Sequence, residues 1–246
     1  MRALYALVRA EWLQLIRNPT ALFMALILPS GLLLMQAYLI QGTRQPIAST
    51  GMTAMDYFVV VALVVATTSV TITNYPASVA GNREMGVLRR LDATPAGATR
   101  FLLAQWLITL ASLLGATLVT LIVAALTFGL APPQHVAMAA LVLVLGAIAM
   151  TAIGSVIAAT AATSQIAYGS GVLVFMLCLF LAGIWTPGPL MSESLRTIAA
   201  FTPPGAIAQS LQAAWYGGGM SVTPLLVLMI WTAASGGLSA RVFRWR

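Results

Sequence analysis

The sequence predicts an all-α integral membrane protein with six transmembrane helices. Three observations lead there. First, 60% of the 246 residues are hydrophobic, only 7% are charged, and the mean hydropathy is +0.96. A water-soluble core of this size needs more charge to stay dispersed. Second, the apolar residues fall into runs of about 20, the length that crosses a bilayer as helix. Third, the basic residues are all arginine, and they cluster between alternate runs as the positive-inside rule requires.

Taken in order, residues 1–18 form a helix before any span. At 100° per residue Leu4, Tyr5, Val8, Trp12, Leu15 and Ile16 fall on one arc, with Arg9 at its border and Arg2 and Arg17 beyond it. This is the pattern of an amphipathic interfacial helix. The 20-residue run that follows lacks a small-residue cleavage site, so a cleaved signal peptide is not expected. Span one is 20–40, with a kink expected at Pro29. Span two is 57–79, its second half rich in Thr, Ser and Asn, and Pro76 is expected to break it.

Residues 81–100 (GNREMGVLRRLDATPAGATR) form a charged elbow. Six of the chain's charged residues stand in these twenty positions: Arg83, Glu84, Arg89, Arg90, Asp92 and Arg100. Asn82 is expected to cap a short helix that runs through Leu91, with Pro95 as its stop. Met85, Leu88 and Leu91 give it a narrow apolar seam, and Arg83 and Arg90 project away from that seam. A loop that only sets topology needs none of this.

Span three is 101–130, closed by Ala131-Pro-Pro-Gln-His. Residues 136–192 carry no charge and are too long for one span. They divide into 136–160 and 169–186, broken near Ala161–Tyr168. Small residues crowd the first of these, a composition that lets helices pack closely in lipid. Residues 187–219 are rich in Pro and Gly, hold Glu193 and Arg196, and contain two short apolar-faced segments. Such segments are expected to re-enter the outer leaflet, with Glu193 and Arg196 paired at head-group level and Gly217, Gly218 and Gly219 giving freedom to move. The last span is 221–240. With six spans and both termini cytoplasmic, ten arginines lie inside and only Arg44 and Arg196 outside.

Several chemistries are excluded. The chain has no lysine, so it has neither a P-loop lysine nor a Schiff base. One cysteine, Cys178, and one histidine, His135, support no disulfide and no metal site. The basic balance is explained by topology, so nucleic acid is not an expected partner. No ionisable side chain falls in the middle of a span, which disfavours ion-coupled transport. A chain with spans for a pathway and no internal drive would take its energy from another subunit.

Two stretches carry a resemblance. NREMGVLRRLDATP, between spans two and three, resembles the coupling-helix region of ABC type-2 exporter permeases. GIWTPGPLMSESLRTIAAFTPPGAIAQSLQAAWYGG is similar to the outer segment that precedes their last span. The resemblance implies a transport subunit without enzyme activity, paired with an identical or related permease half in the cytoplasmic membrane. It further implies two ABC ATPase subunits, which carry ATP and Mg while this chain binds no cofactor. By that resemblance 81–95 is a coupling helix. Met85, Leu88 and Leu91 dock on the ATPase, framed by Arg83, Glu84, Arg89 and Arg90, and Gly86 allows close approach. Spans one, two and five would line the pathway, which points to Thr67, Thr71 and Asn74 and to Phe175, Met176 and Phe180. A pathway without charges suits outward movement of an amphipathic or lipophilic molecule such as a drug, an antibiotic or a lipid-linked product. A non-transporting scaffold using the same spans is the rival reading.

Overall fold

The helix Ala54–Glu84 is the post around which the others stand: 94% of its most apolar stretch is buried, against 28–44% for the other five long helices. The computed structural model describes residues 2–40, 53–92, 97–130, 132–183, 191–217 and 221–242. In chain order the helices are α1 (Arg2–Ile16), α2 (Pro19–Leu39), α3 (Ala54–Glu84), α4 (Val87–Asp92), α5 (Gly97–Phe128) and α6 (Val136–Thr160). They continue with α7 (Ser164–Leu181), α8 (Glu193–Ala200), α9 (Pro203–Tyr216) and α10 (Val222–Val242). Among the described residues six of these, α2, α3, α5, α6, α7 and α10, are long and apolar enough to cross a membrane. Helices α2, α5, α6, α7 and α9 pack on α3, whereas α10 packs on α6 and α9, and α1 on α5.

The span count therefore matches the sequence expectation, and four details differ. Pro76 does not break span two. A π-helical turn at Ser69–Asn74 precedes it, and the helix runs on to Glu84. The wider turn accommodates a proline ring that would clash in a regular α-helix. Pro29 follows a π-turn in the same way, at Phe23–Ile27. The carbonyls near it are taken up by Ser30, whose Oγ donates to Leu26 O (2.9 Å) and Ile27 O (3.2 Å).

Because α3 continues, Asn82 lies inside it and is buried, so it caps nothing. The break comes at Gly86, whose φ of +70° is a left-handed turn that favours glycine. The stop expected at Pro95 lies outside the described residues. Finally, span five begins at Ser164, not at 169. Thr163 caps it by accepting the Ile166 N–H, so the break after α6 is confined to 161–163.

Small residues let the helices close on the π-turn of α3. A Cβ on Gly154 would stand 2.2 Å from Thr71 O, and one on Gly171 2.3 Å from Ile72 O. Ile72 is the residue whose carbonyl Pro76, lacking an N–H, cannot serve. Glycine on α7 is what allows a second backbone to approach it.

At the far end α8 and α9 form a tight corner, where a Cβ on Gly205 would meet Ala199 O at 2.0 Å. Helix α9 is largely buried through Ile207, Leu211 and Trp215, while α8 leaves Ile198 exposed, as is Phe201 just after it. Gly217 closes α9 with φ of +78°, and Gly218 and Gly219 lie outside the described residues.

Candidate functional site

The charged elbow is tied to the bundle by side chains for which other roles are expected from sequence. Arg83, expected to project freely, donates from Nη1 to Ala159 O (3.3 Å) and from Nη2 to Ala161 O. It thereby caps the C-terminal end of α6, where carbonyls lack partners of their own. Glu84 accepts the Ser164 N–H at 3.0 Å, at the N-terminal end of α7. Ser164 Oγ donates to Ala77 O at 2.9 Å. One turn of α3 therefore holds both sides of the α6–α7 junction.

On the other flank of α3 sits a residue that sequence reasoning passed over. Glu11 of α1 is only 7% exposed. Its Oε2 accepts from Ser78 Oγ (3.4 Å) and from Gln105 Nε2, and its Oε1 accepts from Asn82 Nδ2 (3.4 Å). Gln105 Nε2 also donates to Ser78 Oγ at 3.0 Å. Burial holds the carboxyl above its ordinary range, and its three neutral donors only partly offset this. The network joins α1, α3 and α5. A signal existed: on a helical wheel Glu11 falls roughly 20° from Leu4, at the edge of the apolar arc.

Beyond Gly86 the short helix α4 divides its residues between two sides. Leu88 is 1% exposed and turned into the chain's own body. Met85 is 57% exposed, Arg89 and Arg90 are exposed, and Leu91 is half-buried. The apolar seam expected on one face is thus split, because the left-handed turn at Gly86 takes Met85 out of register with Leu88.

The six pathway candidates are not brought together. Thr67 and Thr71 are fully buried inside the bundle, their hydroxyls donating to Leu63 O (2.9 Å) and Thr67 O (2.7 Å) of their own helix. Phe175 is buried in the core with Val61 and Val65, while Met176 and Phe180 lie on the outer surface of α7. Asn74 borders a cavity, and its Nδ2 donates to Ala21 O at 2.9 Å. That cavity, ≈ 760 Å³, lies between α1, the start of α2, the lower halves of α3 and α5, and the start of α7.

At the opposite end of α3 the ties involve Asp56 and α9. Tyr216 Oη donates to Asp56 Oδ1 at 2.8 Å, and Asp56 also closes a capping box with Thr53 at the start of α3. Burial, with the Asp56 charge beside it, pushes the Tyr216 hydroxyl well above its ordinary range. The His135 N–H donates to Ala214 O at 3.0 Å. Glu193 and Arg196 are both exposed on α8, where Thr197 Oγ1 donates to Glu193 O (2.9 Å) and the Arg196 N–H to Ser192 O (3.0 Å).

One family model, that of ABC-2 type transporters, matches residues 2–216, which hold five of the six long apolar helices and the short charged helix between the second and third. The chain belongs to the ABC-2 type transporter family. Neither a curated protein nor a solved structure matches it. Membership makes this a multi-pass membrane permease, the transport subunit of an ABC system, in a family that works with a partner ATPase.

Proposed function

We propose that the chain is the permease half of an ATP-driven exporter in the cytoplasmic membrane, with both termini and α4 on the cytoplasmic side. The observation that carries this is the elbow's construction. A short helix with an exposed side hangs from the last two turns of α3, whose Ser78, Asn82, Arg83 and Glu84 are bonded to α1, α5, α6 and α7. Force applied to α4 would move the lower ends of four helices together.

The docking surface in this reading is Met85, Arg89 and Arg90, with Glu84 and Leu91 at its edges. Leu88 and Arg83 hold the segment from behind, and Gly86 sets its angle. Two ATPase subunits, each carrying Mg-ATP, would engage two permease halves, identical or related. The substrate is amphipathic or lipophilic and moves outward past Asn74 and the surface of α7 that carries Met176 and Phe180. Helices α8 and α9, with Glu193 and Arg196, would lie at the outer leaflet as a lid.

The decisive experiment reconstitutes the complex with its ATPase. Met85→Asp combined with Arg89→Glu places two carboxylates on the docking face and leaves the packed side of α4 untouched. ATPase association and substrate-stimulated hydrolysis should fall at least about tenfold while membrane insertion is normal. Full stimulated activity in that variant would sink the assignment. Sidedness has its own check. In intact cells, on a Cys178→Ala background, an impermeant thiol reagent should label Ser194→Cys and leave Met85→Cys unlabelled.

A further inference from the structure

The cavity beside Glu11 has a chemistry of its own. Its lining includes two carboxylates, Glu11 and Glu84, and no arginine or histidine among the described residues. Yet arginines adjoin its lining along the chain: Arg9 stands two residues before Glu11, Arg17 next to Asn18, and Arg83 next to Glu84. The amides of Asn18, Asn74 and Gln165 and the hydroxyls of Thr109, Ser112 and Tyr168 also face it. Apolar wall comes from Leu15, Ala21, Val70 and Ile108.

Each feature narrows the ligand. An anionic head would be stripped of water beside Glu11 with no base to receive it, which costs several kcal/mol or forces neutralisation. A wholly apolar ligand would displace water from the amides and hydroxyls of the lining and return no hydrogen bonds. A cationic amine on an apolar body satisfies both requirements. It supplies an opposite charge to Glu11, whose three hydrogen-bond partners among the described residues are all neutral. Its apolar part has a wall to lie against.

We infer that this cavity is a binding site for an amphipathic molecule carrying a protonated amine, with Glu11 as its counter-charge. The inference rests on the permease reading for its purpose, because such a site would receive cargo from the cytoplasmic side. It narrows the cargo from lipophilic molecules in general to amphipathic cations.

The test uses the full-length chain in phosphatidylcholine nanodiscs and three matched fluorescent probes. These are dansylcadaverine, its N-acetyl derivative, and the dansyl acid of similar chain length. Fluorescence anisotropy should show saturable binding of the amine, at least about tenfold tighter than of the acetylated and acidic probes. Glu11→Gln keeps the shape and removes the charge. It should bring the amine down to the level of the acetylated probe.

Ser112→Phe fills the cavity from α5 and leaves Glu11 in place. It should abolish binding of all three probes, and it carries the test should Glu11→Gln fail to fold. Equal binding of the three probes, an undiminished preference for the amine in Glu11→Gln, or full binding in Ser112→Phe would each overturn the site. Binding is read without the ATPase. Loss of the transport assignment, seen as an ATPase that never associates, is therefore distinguishable from loss of the site.

Discussion

The two ends of α3 are held in different ways. The end that leads into α4 is joined to its neighbours by long-range side-chain bonds from Ser78, Asn82, Arg83 and Glu84, reaching α1, the end of α6 and the start of α7. At the other end Tyr216 Oη donates to Asp56 Oδ1. Between them lies the π-turn, closed by glycine contacts from α6 and α7. A post tied firmly at one end and lightly at the other passes on a push by tilting about its middle. The end near Tyr216, and with it α9, is where displacement would show.

The largest effect should come from breaking that middle. Gly171→Val would drive a branched side chain into the Ile72 carbonyl, where even a Cβ stands at 2.3 Å. Overpacking of this kind costs about 1–3 kcal/mol, and more where backbone rather than a movable side chain is in the way. We expect little monodisperse protein from Gly171→Val and about the same from Gly154→Val. Gly169→Ala, with nothing within 4 Å, should behave as the parent in size-exclusion chromatography. Equal behaviour of Gly171→Val and Gly169→Ala would show that the π-turn is not a close contact.

Next in size is the tied end. Arg83→Ala leaves the carbonyls of Ala159 and Ala161 without their partner, at a cost of about 1–3 kcal/mol. Its distinctive consequence is mechanical. The α6–α7 junction loses one of its side-chain anchors on α3, so ATP hydrolysis should persist while transport per ATP falls. A parallel fall of both would make Arg83 a stability residue only.

The lightly held end gives a smaller change. Tyr216→Phe removes one hydrogen bond to Asp56, about 0.5–1.5 kcal/mol. Its pH dependence has a definite sign. The folded hydroxyl sits above the ordinary value of 10.0, so the folded state holds this proton more tightly than the unfolded chain. The contribution is intact below pH 10.0 and is lost as pH rises beyond it. Wild-type thermal stability should therefore fall faster than that of Tyr216→Phe in alkaline buffer. Parallel curves would mean that the bond is absent in solution.

The contrast between the ends also shows what the sequence could disclose. Spans were legible because apolar length is a nearly sufficient signal in lipid, and the arginines supplied an expected orientation. The elbow was legible as a feature, since no stretch of twenty residues elsewhere in the chain holds as many charges as 81–100. Its internal arrangement was not. Pro76 reads as a stop unless one knows that a π-turn precedes it, and no local pattern marks such a turn. Asn82 reads as a cap for the same reason, because its true surroundings come from α1, 71 residues earlier. Arg83 and Glu84 carry charge, which suggests solvent, yet both serve helix ends that tertiary packing brings to them. Thr67 and Thr71 looked like pathway residues, but hydroxyls on an apolar helix can satisfy themselves on the preceding turn.

The smallest expected effect bears on the tied end through Glu11. Around it α3 contributes Ser78 and Asn82 and α5 contributes Gln105, all neutral hydrogen-bond donors. Burial raises the carboxyl above its reference value of 4.5, so the folded state binds this proton more tightly than the unfolded chain does. Stability from this group is then greatest at and below pH 4.5 and declines as pH rises through the folded value. Glu11→Gln cannot ionise and keeps the size and hydrogen-bonding reach of the protonated acid. The two proteins should melt together at pH 4.5 and separate toward pH 8, with the glutamine variant higher by a few degrees, on the order of 2–4 °C per kcal/mol. Tryptophan fluorescence in detergent follows the transition. A wild type that gains on the variant as pH rises would mean that an unseen cation already neutralises Glu11. The firmly tied end would then rest on an ion pair and not on a shared set of neutral hydrogen bonds.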